Sequence, residues 1–186
     1  EVATSNAPIT GFYNVTSSLR LVTSNAPIDV EVEARQLRAH WPADIRLVTS
    51  NAELSAQLTL FNTTEHGRFR VFARTSNAAS DVSVLASPLG SAHVFDTRTS
   101  NAPARLALDA SFEGHYLAYS LNAAPVLDRR EGVEDPTGSG RERVVETNRQ
   151  APGMIGGTVY WGAPKSHGWL SSAVVTTSNK PATFVL

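Results

Sequence analysis

The 186 residues contain no cysteine, which excludes disulfides and thiolate metal sites. Neither charge sign is in excess. Sixteen Lys and Arg against 17 Asp and Glu leave a net charge of −1, and no Lys/Arg stripe stands out, so the electrostatic case for nucleic acid falls away. No apolar run approaches the roughly 18 residues of a membrane span, and no stretch reads as a signal peptide. The five histidines (His40, His66, His93, His115, His167) are scattered, with no His-x-x-x-His or His-Glu-x-x-His among them, which argues against a metal site. Thr137-Gly138-Ser139-Gly140-Arg141 lacks the Lys-Ser/Thr ending of a phosphate loop, and no nucleophile elbow occurs. No cofactor is expected. Aromatics are sparse at 8%, but 41% hydrophobic and 18% charged residues suffice for one domain with a sizeable core.

What the chain does have is a repeated phrase. Thr4-Ser5-Asn6-Ala7-Pro8-Ile9 returns at Thr23 to Ile28 and, as Thr49-Ser50-Asn51-Ala52-Glu53-Leu54, a third time. Later copies stand at Thr75 to Ala78, Thr99 to Pro103 and Thr177-Ser178-Asn179-Lys180-Pro181, with decayed copies read at Ser120-Leu121-Asn122 and Thr147-Asn148. Successive Asn residues then lie 19, 26, 26, 24, 21, 26 and 31 positions apart, a period typical of stacked coils. The flanks keep phase. Ile28, Val30, Val32 recur as Leu54, Ala56, Leu58, as Ser80, Val82, Val84, as Ala104, Leu106, Leu108 and as Ala182, Phe184, Leu186, with polar residues between most of them. Before the phrase, Leu19 and Leu21, Ile45 and Leu47, Val71 and Ala73 alternate likewise. Period two on both sides predicts strand, corner, strand in each copy.

At the corner, Asn tolerates left-handed backbone angles and Pro fixes φ, so a bend is expected. Stacking in register would set Asn6, Asn25, Asn51, Asn77, Asn101 and Asn179 about 4.8 Å apart as an amide ladder. The other reading of the phrase is an array of Thr, Ser and Asn displayed to a ligand or to ice. Between copies, Ala34 to His40 suits a short helix over one edge of the core, ended by Trp41-Pro42, or else an irregular loop. Asn62 to Gly67 and Ser87 to Ser91 read as corner insertions, Phe112 to Tyr119 and Gly156 to Gly162 as strands, and Asp128 to Arg143 as a charged, Gly/Pro-rich exposed loop.

Asp29, Glu31 and Asp81 point outward on equivalent strands, and a polysaccharide-cleaving enzyme would need two such carboxyls about 5–9.5 Å apart. Outward acids that do not recur at one offset fit a solvated face better. Tyr160, Trp161, His167 and Trp169 form the best binding group, with flat apolar faces suited to sugar rings; the alternative is that the tryptophans seal an open end of the core. Asn14-Val15-Thr16 and Asn62-Thr63-Thr64 are N-glycosylation sequons, which favours an extracellular location.

The Thr-Ser-Asn-Ala-Pro-Ile copies, together with Asp135-Pro136-Thr137-Gly138-Ser139-Gly140-Arg141-Glu142-Arg143 and Val159-Tyr160-Trp161-Gly162, resemble mushroom-type fungal surface proteins. Those are similar to the adhesin-like domain family of unknown function found in bacteria. The resemblance covers nearly the whole chain and implies a secreted or membrane-tethered ectodomain with a right-handed parallel β-solenoid. It implies no catalytic residues. Members are longer at the N-terminus and often carry a span there, so a chain processed or shed from a surface precursor is expected.

The sequence thus predicts a single all-β domain over residues 1–186, a right-handed parallel β-solenoid of about seven or eight coils. An antiparallel β-sandwich is the alternative. The expected function is a non-enzymatic extracellular structural or adhesion protein on a cell-wall or glycan surface. It would self-associate, as fibres or a capped dimer, through the end strands bearing Ile9, Gly11, Tyr13 and Ala182, Phe184, Leu186. A lectin-like module and a polysaccharide-cleaving enzyme are the alternatives.

Overall fold

The computed structural model describes residues 1–37, 41–63, 67–164 and 171–186. Every described element is a strand: β1 Val2–Ala3, β2 Ile9–Val15, β3 Ser18–Val22, β4 Ile28–Gln36, β5 Ala43–Val48, β6 Leu54–Asn62, β7 Arg68–Arg74 and β8 Ser80–Ala86. The second half adds β9 Ala92–Arg98, β10 Ala104–Ala107, β11 Gly114–Ser120, β12 Val126–Asp128, β13 Arg143–Ala151, β14 Met154–Trp161, β15 Ser172–Thr177 and β16 Ala182–Val185. Among the described residues there is no helix, and therefore none long and apolar enough to cross a membrane.

Two sheets face each other across one core. The first has nine strands in the order β1-β3-β5-β7-β9-β15-β11-β14-β13, the second seven in the order β12-β16-β10-β8-β6-β4-β2. Pairing is parallel everywhere except within β11-β14-β13, which does not suit an antiparallel sandwich. Register follows the phrase. Ile9, Ile28, Leu54, Ser80, Ala104 and Ala182 are successive partners across the seven-stranded sheet. Because side chains alternate, one fixed phase puts every copy's apolar set inside, and a one-residue slip would turn it to water. Val30, Val32, Leu54, Leu58, Leu106, Phe184 and, from the other sheet, Leu21, Ile45, Leu47 and Val71 are all at most 4% exposed.

The stretch from Ala34 begins as strand. Ala34 and Gln36 continue the alternation of β4 into the core, overriding the local helical composition. Gln36 donates from Nε2 to the Trp41 carbonyl (2.9 Å) and accepts the Arg68 N–H (2.6 Å), while Trp41 itself is exposed. Residues 38–40 lie outside the described part.

The last two strands depart from chain order. β15 lies between β9 and β11, and β16 between β10 and β12. The chain places β11 and β12 one level beyond the gap, builds the antiparallel β13–β14 hairpin past them, then returns to fill the gap. Ala182, Phe184 and Leu186 are therefore interior, at most 1% exposed, and do not form an end of the stack as expected. Nor is Thr147-Asn148 a corner: both residues lie in β13, where a register shift between Thr147 and Arg149 accommodates Asn148 as an extra residue.

Candidate functional site

The corner phrase holds the stack together through three sets of bonds. The Ser and Asn backbone N–H groups of each copy both donate to the Ser carbonyl of the copy before, as Ser50 and Asn51 do to Ser24 (3.2 and 2.9 Å). The Thr hydroxyls turn inward: Thr49, Thr75, Thr99 and Thr177 donate to the carbonyls of Ala26, Ala52, Ala78 and Ala102 at 3.0–3.1 Å. The Asn amides bond along the outside, Asn25 to Asn6, Asn51 to Asn25, Asn77 to Asn51, Asn101 to Asn77, Asn179 to Asn101 and Asn122 to Asn179, at 2.6–2.8 Å. Seven side chains make one polar ladder, each Nδ2 donating to the preceding Oδ1. No described non-glycine residue has positive φ, so these Asn residues are not in the left-handed conformation anticipated for the bend; their amides, not their backbone tolerance, are what the corner uses.

Asp29 and Asp81 do not meet. Across the seven-stranded sheet, Asp29 and Asp81 are separated by Ser55, and Asp81 is paired with Arg105 at 2.8 Å. Glu33 accepts a bond from Asn14 at 3.4 Å. Asp29, Glu31 and Glu33 make this face acidic beside β2, whereas Arg20, Arg46, Arg70, Arg74 and Arg98 project from the nine-stranded sheet. Part of that basic face is a groove of about 420 Å³ lined by Arg46, Phe72, Arg74, Asp96 and Arg98, in which Asp96 accepts two bonds from Arg98 at 2.6 Å. That carboxylate raises the Arg98 pKa, chiefly through the hydrogen bonds.

Tyr160 and Trp161 are buried at 6% and 4% exposure, so their ring faces are packed rather than offered to solvent. The Trp161 indole N–H donates to the Ala110 carbonyl (2.8 Å), its backbone N–H to Glu113 (3.1 Å), and Tyr160 O–H to Glu146 (2.7 Å). The Glu146 bond raises the Tyr160 pKa. His167 and Trp169 lie outside the described residues, so the four-residue aromatic group is placed only in part. Of the sequon asparagines, Asn14 is exposed on β2 and Asn62 ends β6; Thr64 is outside the described residues.

His93, undistinguished in sequence, is 1% exposed, stacked between Phe69 and Phe95 with ring centroids 5.7 and 5.5 Å away, and its pKa is lowered to about 4 by burial. The charged loop is ordered around Asp135, whose carboxylate accepts bonds from the Thr137 hydroxyl and N–H and from Arg141, with an N–H···O distance of 2.8 Å at Nη2. The Arg141 guanidinium holds that carboxyl well below the usual range. Among the described residues no three His, Asp or Glu side chains gather as a metal site.

The two ends of the stack differ. At one, Tyr13 and Val15 of β2 face the core but are only half-buried, whereas their register partners Val32 and Ala34 are fully enclosed. At the other, the seven-stranded sheet stops at the three-residue β12, while the nine-stranded sheet runs two strands further through β14 and β13. The β13 edge carries Arg143, Glu146 and Arg149 and the irregularity at Asn148, features that discourage pairing with a further strand.

No family model, curated protein or solved structure matches this chain.

Proposed function

We propose that the protein is an extracellular, non-enzymatic structural or adhesion protein, a right-handed two-sheeted β-solenoid of seven coils that acts as a rigid spacer on a cell wall or glycan surface. The observation that carries this reading is the direction of its polar bonds. The Thr hydroxyls, Asn amides and corner N–H groups of the repeat are engaged along the stack, copy to copy, rather than gathered about a pocket. Repeats used in this way build length and stiffness, here about 29–38 Å from the six to eight spacings of sheets of seven and nine strands. The outer acids belong to solvated faces, one of them neutralised by Arg105. The sequons and the resemblance to fungal surface proteins and adhesin-like domains support the same location and role.

Self-association through the β2 end is part of the proposal. Tyr13 and Val15 there lack the cover that every inner coil has, and β2 presents a free edge among the described residues. The hairpin at the opposite end offsets the two sheets by two strands, so a second copy cannot continue both sheets there in register. Pairing of two β2 ends about a two-fold axis closes a dimer instead of opening a fibre. Sedimentation at micromolar concentration should give a dimer that Tyr13→Lys dissociates; a monomer at every concentration would end the self-association. Release of reducing ends from fungal or plant polysaccharides would overturn the non-enzymatic reading.

A further inference from the structure

Beyond that role, the geometry points to a binding site for a small oxyanion, carboxylate or phosphate, in a cavity between the charged loop and β13. The cavity has a volume of about 320 Å³ and is lined by Arg129, Arg130, Gly132, Val133, Arg143, Val145 and Leu186. Three arginines therefore line one small space, and no Asp or Glu does. No ion pair holds any of the three among the described residues. Arg129 reaches only the Thr147 hydroxyl at 3.0 Å.

Arg143 is the unusual member. Its Nε and Nη2 atoms are covered from solvent and have no hydrogen-bond partner among the described residues. Its guanidinium lies over the Trp161 ring, 5.8 Å from the centroid, a contact that offsets part of the lost hydration but accepts no hydrogen bond. Asp109, the acid that acts on it through space, is already engaged by the Ser87 and Ser111 hydroxyls at 2.8 and 2.6 Å. Burial and the like charge of Arg130 both disfavour the cation. Covered guanidinium nitrogens without a hydrogen-bond partner are costly, and Arg is not neutralised by losing its proton. An anion in the cavity supplies the missing countercharge.

The volume sits at the small end of ligand pockets, enough for phosphate or for the carboxylate ring of a uronic acid but not for a long peptide. Arginine suits such an oxyanion because its planar fork matches two oxygens at once. The walls are formed in part by strand. Arg143 opens β13, and Leu186 is fixed by its N–H on Asp128 (2.9 Å) and its carbonyl on the Arg130 N–H (2.7 Å). The loop that carries Arg129 and Arg130 is braced further on by Asp135 and Arg141.

The test is titration of the intact protein with inorganic phosphate and, separately, with galacturonate oligosaccharides, followed by calorimetry and thermal melting, with chloride as the control. Saturable one-to-one binding of either oxyanion is expected, weakened at least tenfold in Arg143→Met and in Arg130→Gln. Arg130 is exposed, so its variant keeps the test valid if Arg143→Met fails to fold. Preference between the two arms tells a free phosphate from an acidic glycan. Absence of saturable binding, or binding that both folded variants retain in full, would overturn the site.

Discussion

Protonation of His93 should lower stability by about 3 kcal/mol between neutral pH and pH 4, and that figure follows from where the ring sits. It is stacked between Phe69 and Phe95, tilted against Phe112 at 6.3 Å, and neither ring nitrogen has a partner among the described residues. Burial lowers its pKa from 6.5 to about 4, against a smaller opposing effect of Asp109. Above pH 6.5 both folded and unfolded chains carry a neutral ring, and the linkage contributes nothing. As pH falls from 6.5 to 4 the unfolded state takes up the proton first, so stability drops; below 4 both states are protonated and the full loss is in place. A shift of about 2.5 units at 1.36 kcal/mol per unit gives roughly 3 kcal/mol. Denaturant unfolding of wild type and His93→Phe at pH 7.5, 6, 5 and 4 isolates this contribution, because the carboxylates titrate alike in both. The difference between the two curves should grow by about 3 kcal/mol in favour of the variant. Parallel curves would refute the buried, neutral ring.

Other outcomes follow from the same geometry. Leu58→Ala should cost about 3 kcal/mol through transfer and cavity, whereas Gln57→Ala beside it should stay within about 0.5 kcal/mol; equal losses on urea unfolding would mean that the strand faces are misassigned. Asn77→Ala removes two ladder bonds, to Asn51 and from Asn101, and should cost about 1–2 kcal/mol, roughly twice the loss in Asn6→Ala, which removes one. Gly157→Ala should displace the β13–β14 hairpin, since a Cβ there would overlap the Glu146 carbonyl; loss of amide exchange protection in β13 but not in β4 is the expected readout.

The all-β class and the inward faces were legible because identical phrases hold every copy in one phase. Val30, Leu58 and Leu106 could be assigned inward without knowing which copy neighbours which. That sameness also hides the order of stacking: Asn179 can bond to any other Asn of the ladder, and nothing in its own copy says that it belongs between Asn101 and Asn122. The hairpin left a readable trace in Pro152-Gly153, where Pro precedes a glycine at φ +75 between two strands, as a type II turn requires. Tyr160 and Trp161 illustrate a different limit. Composition marks them as a stacking surface, but only tertiary packing shows that Ala110 and Glu146 occupy their polar edges. Arg143 was one charge among many in a loop until the fold set it beside Arg129 and Arg130.

The insertion of β15 between β9 and β11 is the most specific feature of the fold, and the absence of native cysteine permits a direct test by engineered disulfides. Asp96 and Val174 are register partners across β9 and β15, and Val174 and Leu117 across β15 and β11. Parallel partners lie about 4.8 Å apart and suit a disulfide, while Asp96 and Leu117, two spacings apart at about 9.6 Å, do not. Oxidised pairs of cysteine at 96 and 174, and at 174 and 117, should cross-link within one chain on non-reducing gels, and the pair at 96 and 117 should not. Efficient cross-linking of 96 to 117 would place β11 directly beside β9 and contradict the insertion of β15.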